Sequence, residues 1–236
     1  MLPVFRAITR RFPALKAHLS RRARYMAAIG TPHAWDAKTA DFMERTIRSY
    51  ILGVYRGQLG FEFLDLMASL IEQQFTRAYN QALREEGVEM DDQFQHHLDM
   101  LIINQFPFVD GLFDDILQAV IDESPVEPLL SRADLWANRY NETVNEARLE
   151  IAQRFGGKLK WRLGATEKHC TTCAALNGLV AFGTEWDTSG FHPQGAPNGL
   201  LECGGWRCDC SLEPTTQRRS PRVLNTLLNI GASGNI

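Results

Sequence analysis

Cysteine is missing from the first 169 residues of this 236-residue chain, and all five cysteines stand between positions 170 and 210. Five thiols cannot all pair, and Arg10, Arg11, Arg21 and Arg22 break every apolar stretch near the amino end, so nothing there reads as an export signal. A disulfide framework is therefore not the expectation; metal ligation is. Nor does any apolar run approach the roughly 18 residues that cross a bilayer, and no membrane span is expected. Acid is absent until Asp36. H-E-x-x-H, the P-loop, G-x-S-x-G, G-x-G-x-x-G and the H-x-E of zinc deaminases are all missing, so no enzyme is expected.

What is present divides by charge. Residues 1–30 carry seven basic side chains and no acid, residues 31–155 carry 22 acids against ten bases, and from 156 onward the balance is eight basic to six acidic. Acidic surface repels a polyanion, so nucleic acid cannot wrap the whole molecule. A basic arm over 1–30 fits DNA or an acidic protein surface, or else packs on its own acidic domain.

Residues 31–155 read as all-helical. Thr31-Pro32 suggests a helix start, and Phe42, Met43, Ile47, Ile51 and Val54 fall along one face at helical spacing. A second helix is expected from Phe61 to Glu86, closed by Gly87. Asp91 or Asp92 caps a third, ended by Pro107, and a fourth runs from Phe108 to Glu123. Ser131 and Asp134 resemble a capping box that opens a long helix to Phe155, with Trp136, Tyr140, Val144, Ala147, Ile151 and Phe155 inward. His96-His97 reads as an exposed polar pair, because adjacent residues diverge by about 100° on a helix.

At Gly156-Gly157 the apolar period changes from helical to two. Leu159, Trp161 and Leu163 alternate with Lys158, Lys160 and Arg162, a half-buried strand; Leu179–Phe182 and Cys210–Leu212 are further strand candidates. Between them Gly, Pro, Thr and Asn predominate and few core residues are visible. Such a unit needs a staple, and bound zinc contributes about 10–16 kcal/mol in zinc-finger peptides. The fold class expected is mainly α, a helical domain (31–155) followed by a small, loop-rich, short-stranded, zinc-stapled α+β module (158–214) and a tail (215–236).

The cysteines supply the ligands. Cys170-x-x-Cys173 lets one turn present two thiolates, and Cys203, Cys208 and Cys210 offer a second group; tetrahedral zinc takes four. The set expected is Cys170, Cys173, Cys203 and Cys208, with Cys210 the alternate and His192 a loop residue in reserve. A catalytic zinc would need a general base, for which Glu167, His169, Glu185, Asp187 or His192 could be recruited, but four thiolates leave no position for water.

Trp161, Thr166, Cys170-x-x-Cys173, Leu176, Gly178 and Cys208-x-Cys210 together resemble the C-terminal module of tailed-phage head morphogenesis proteins, also called minor head or minor capsid proteins. The match covers about 55 residues of 236. The histidine that this family places three residues before its C-x-C would fall at Gly205, and Cys203 stands two residues earlier, where Gly204 and Gly205 let the backbone fold back. The resemblance implies a structural protein of the virion near the portal, made in the host cytoplasm. Its implied partners are portal or major capsid protein, in an oligomer around the portal, with DNA or scaffold protein reached by the basic arm. The alternatives are a zinc-containing nucleic-acid-binding module, for which Trp206-Arg207 is the marker, and a zinc-dependent hydrolase or effector carried by a phage head protein.

Overall fold

Helix α1 (Ala37–Tyr55) buries Met43, Ile47, Ile51 and Val54. Phe42, expected on that face, is instead 59% exposed. It precedes Met43 by one residue, which turns it about 100° away from the stripe. The structure, a computed structural model, describes residues 37–164, 168–206, 209–221, 223 and 227. The basic arm, the expected start at Thr31-Pro32, Thr166, Glu167, Arg207, Cys208 and most of the tail lie outside the described residues.

Of the residues expected inward on helix α2 (Glu62–Glu85), Met67, Leu70, Ile71, Phe75, Ala78 and Ala82 are buried, while Leu64 is only partly so. Asp91 caps α3 (Asp92–Ile103), accepting from the backbone N–H groups of Gln93 and Phe94. Helix α4 (Phe106–Ile121) begins before Pro107, not after it. Proline costs nothing in a first turn, whose N–H groups have no helical partner. After the single turn α5 (Glu127–Leu130), helix α6 runs over Arg132–Phe155. The expected capping box does not form: the Ser131 hydroxyl donates to the Pro128 carbonyl, and one buried Asp134 oxygen finds no partner among the described residues. Trp136, Tyr140, Val144, Ala147 and Ile151 are buried, but Phe155 is 62% exposed because the helix outruns the core beneath it. Of the histidine pair, His96 is exposed, while His97 is half-buried and bonded to the Tyr79 hydroxyl at 3.0 Å.

Strand β1 (Lys158–Arg162) alternates as expected, with Leu159 and Trp161 buried. It is the centre of a three-stranded antiparallel sheet, order β2-β1-β3, with β2 (Val180–Phe182) and β3 (Ser211–Pro214) at the edges. Two short helices complete the module, α7 (Thr171–Leu176) and α8 (Gly183–Ser189). The molecule is thus mainly helical with one small sheet.

Two apolar clusters hold it. The first is filled by α1 to α6; the second gathers Leu159, Trp161, Cys173, Leu176, Trp186, Phe191, Leu201, Cys210, Leu212, Val223 and Leu227 around Leu149 and Ala152 of α6. The scarcity of core residues expected after Gly157 is therefore corrected. Trp161 and Trp186 are fully buried with ring centres 5.7 Å apart, and the Trp186 indole donates to the Leu159 carbonyl. Helix α6 serves both clusters with different residues, and Trp35–Ile236 form one compact unit.

Candidate metal centre

Cys170 is the N-cap of α7, and its sulfur accepts from the Cys173 backbone N–H at 3.4 Å. An N-cap and the third residue of its helix lie on the same side of the first turn, so C-x-x-C at this position turns both sulfurs to one point. The third sulfur comes from the loop after α8. Cys203, Cys170 and Cys173 have ligand atoms that all lie within 4.8 Å of one another. A tetrahedron with about 2.3 Å metal–sulfur bonds has edges of about 3.8 Å, so three thiols at this separation could hold a metal ion with small side-chain adjustments.

The residues beside the cysteines bring the two loops together. The Glu202 carboxylate accepts from the Thr171 backbone N–H at 2.7 Å and from the Thr171 hydroxyl at 2.6 Å. In return the Glu202 backbone N–H donates to the Thr172 hydroxyl at 3.3 Å. This places Cys203 against the start of α7. The Thr171 bonds hold the Glu202 carboxyl below the usual carboxylate range. Beyond Cys203, Gly204 and Gly205 both have positive φ, 64° and 79°. That region is costly for residues with a Cβ, and these two glycines turn the chain back so that the Gly204 carbonyl accepts from Asn198 at 3.0 Å.

Around Cys170, burial works to raise the thiol pKa, but hydrogen bonds from the backbone and side chains of Cys173 and Cys203 outweigh it and the value falls. The shift at Cys170 is toward the thiolate, the form that binds metal. Cys173 is 1% exposed and Cys170 and Cys203 are half-buried, which leaves the site covered on one side.

Among the described residues this is the one group of three or more His, Cys, Asp or Glu ligand atoms so close together. Cys210 does not join it, although like Cys173 it is buried in the second apolar cluster; its carbonyl accepts from Asn145 of α6 at 3.4 Å. His192 is occupied elsewhere, its Nδ1 2.8 Å from Glu146. Burial lowers the His192 pKa, but Glu146 and, after it, Asp187 more than reverse this. Glu185 accepts from the Phe182 backbone N–H at the start of α8 and pairs with Arg219. Of the groups that a catalytic zinc would recruit, Glu185 and His192 are thus tied to other partners.

Three contributors escaped the sequence reading. Glu202 and Thr171 are neighbours of ligands, and that adjacency was their only signal. Asn145, 2% exposed on α6, accepts from the Leu212 backbone N–H at 3.0 Å and donates to the carbonyls of Pro193 and Cys210. It anchors both arms of the cysteine loop, and a polar residue beside Val144 on an inward helix face was the available clue. No protein-family model, curated protein or solved structure matches the chain.

Proposed function

We propose that this chain is a structural minor head protein of a tailed phage, acting in head assembly, portal association or DNA delivery. Its cysteine module is held by one structural zinc ion. The observation that carries the zinc reading is the convergence of Cys170, Cys173 and Cys203 from two separate loops. Cys208 is the fourth ligand. The Cys210 sulfur is not among the ligand atoms that lie within 4.8 Å of one another, and Cys208 is the remaining cysteine. Three sulfurs from a C-x-x-C turn and a distant loop suit zinc, which accepts all-thiolate tetrahedra. A closed tetrahedron has no position for water, so the ion's role is to fix the loop between α8 and β3, and the protein works as a scaffold.

The head-protein reading rests on the ordered Trp161, Thr166, C-x-x-C, Leu176, Gly178 and C-x-C pattern. The positions in it that are described have structural duties. Trp161 and Leu176 are core residues, and the Gly178 N–H donates to the Trp161 carbonyl at 2.9 Å. A test is mass spectrometry of purified particles of the phage that encodes the chain. Its presence at a low, fixed number of copies per particle is the expected result, and its absence from particles and from assembly intermediates contradicts the reading.

A further inference from the structure

Arg139 of α6 is only 7% exposed and has no part in the reading above. Its guanidinium is surrounded by rings, with centres at 5.9 Å for Phe108, 6.0 Å for Trp136 and 5.9 Å for Trp206. Both of its hydrogen bonds, to the Glu142 carboxylate and to the Ala196 carbonyl, run through Nη1. Nε and Nη2 therefore have no partner among the described residues. Neither is among the fully buried atoms without a partner, so both remain accessible to a second acceptor beside Glu142.

Beside it is a cavity of about 310 Å³. Phe108 and Leu112 of α4, Leu135, Trp136 and Arg139 of α6, and Trp206 of the loop after Cys203 form its wall, and Arg132 stands there too. No carboxylate lines it among the described residues. Arg132 is paired with Asp115 at 2.6 Å, and both are substantially exposed. Glu142, paired with Nη1 on the other side of Arg139, has its carboxyl pushed up to about 7 by burial.

We propose that this cavity is a binding site for an apolar carboxylate of about one amino-acid residue in size, its carboxylate taken by Arg139 and its apolar part held between Phe108, Trp136 and Trp206. The volume is at the small end of ligand pockets, which begin near about 300 Å³. A planar guanidinium with two adjacent free N–H groups matches a carboxylate in bidentate fashion. The flanking rings supply the apolar contact and keep water from competing. Phosphate esters and nucleic acid fit less well, because α4 carries Asp110, Asp114 and Asp115 and its acidity disfavours a multiply charged ligand.

The test is calorimetric titration of the full chain with N-acetylphenylalanine, with its amide, and with the tripeptide Gly-Gly-Phe. The acid is expected to bind at least about tenfold more tightly than the amide, which lacks the charge Arg139 answers. Stronger binding of the tripeptide assigns the ligand to a polypeptide C-terminus, and equal binding assigns it to a free organic acid. Arg139→Gln should remove the preference for the acid. Trp206→Ala, at a half-exposed wall residue, should weaken the acid and the tripeptide several-fold while leaving the melting temperature close to that of the parent. Equal affinity for acid and amide, no binding of either carboxylate, or a Trp206→Ala protein that binds as well as the parent overturns the proposal.

Discussion

Asp91 shows how much one side chain can hold. Its carboxylate caps α3 and also pairs with Arg154 of α6, whose guanidinium stacks 4.4 Å from the Phe94 ring centre. Arg154 first, and the Phe94 N–H next, bring the Asp91 pKa down to about 2. A carboxyl with a depressed folded pKa contributes fully above its unfolded value near about 3.9, and the contribution fades as pH falls toward the folded value. We therefore expect the melting temperature of the parent to fall between about pH 4 and pH 2 more steeply than that of Asp91→Asn, which cannot titrate. Parallel curves for the two proteins would refute the role of the pair. The cap was legible from an aspartate just before an apolar-periodic run, but the Arg154 partner, 63 residues away, was not.

At the scale of elements, α6 is the spine. One face of it was legible from the spacing of Trp136, Tyr140, Val144, Ala147 and Ile151, because a single apolar stripe repeats every 3.6 residues. Its second role was not legible, because Leu149, Ala152 and Asn145 lie off that stripe and meet residues from the far end of the chain. Asn145 is the sharpest case. Replacing it with alanine leaves the Leu212 N–H and the carbonyls of Pro193 and Cys210 without their side-chain partner inside the protein. Asn145→Ala should cost about 1–3 kcal/mol and open the 190–210 loop to protease before the helices melt. Urea unfolding together with limited proteolysis checks this; a variant as stable and as resistant as the parent would show that water replaces the amide without loss. The sheet was found more easily than its neighbours. Alternation in Lys158–Arg162 is a local signal, whereas Trp186 and Phe191 stand singly among polar residues and glycine, and burial without a period leaves no trace in a sequence.

For the whole molecule, two apolar clusters sharing one helix replace the picture of a helical body with a module that metal alone stabilises. The fold class was legible, since the switch at Gly156 from helical to two-residue periodicity is written in the residues. The number of core residues in the second half was underestimated, and spacing alone gave little support for expecting Cys208 with Cys210 as the alternate, because both follow Cys203 closely. The Cys210 sulfur is not among the ligand atoms that gather within 4.8 Å, although Cys210, like Cys173, is buried in the second apolar cluster. The apolar cluster also changes what metal removal should do. Chelation is expected to loosen the loop that bears Cys203 and to lower the melting temperature, with the helical circular dichroism retained at room temperature. Complete loss of helicity on chelation would show that the clusters do not stand without the ion.

The central claim is that Cys170, Cys173, Cys203 and Cys208 form one closed metal site and that Cys210 is core. Metal content by elemental analysis, on protein purified without added metal, tests it in three chains side by side. The parent and Cys210→Ser should each carry about one equivalent of zinc, with Cys210→Ser less stable by about 1–3 kcal/mol for the hydroxyl placed in an apolar cluster, and Cys208→Ser should lose most of the metal. A parent without zinc, or a Cys210→Ser protein that loses the ion while Cys208→Ser keeps it, would contradict the account.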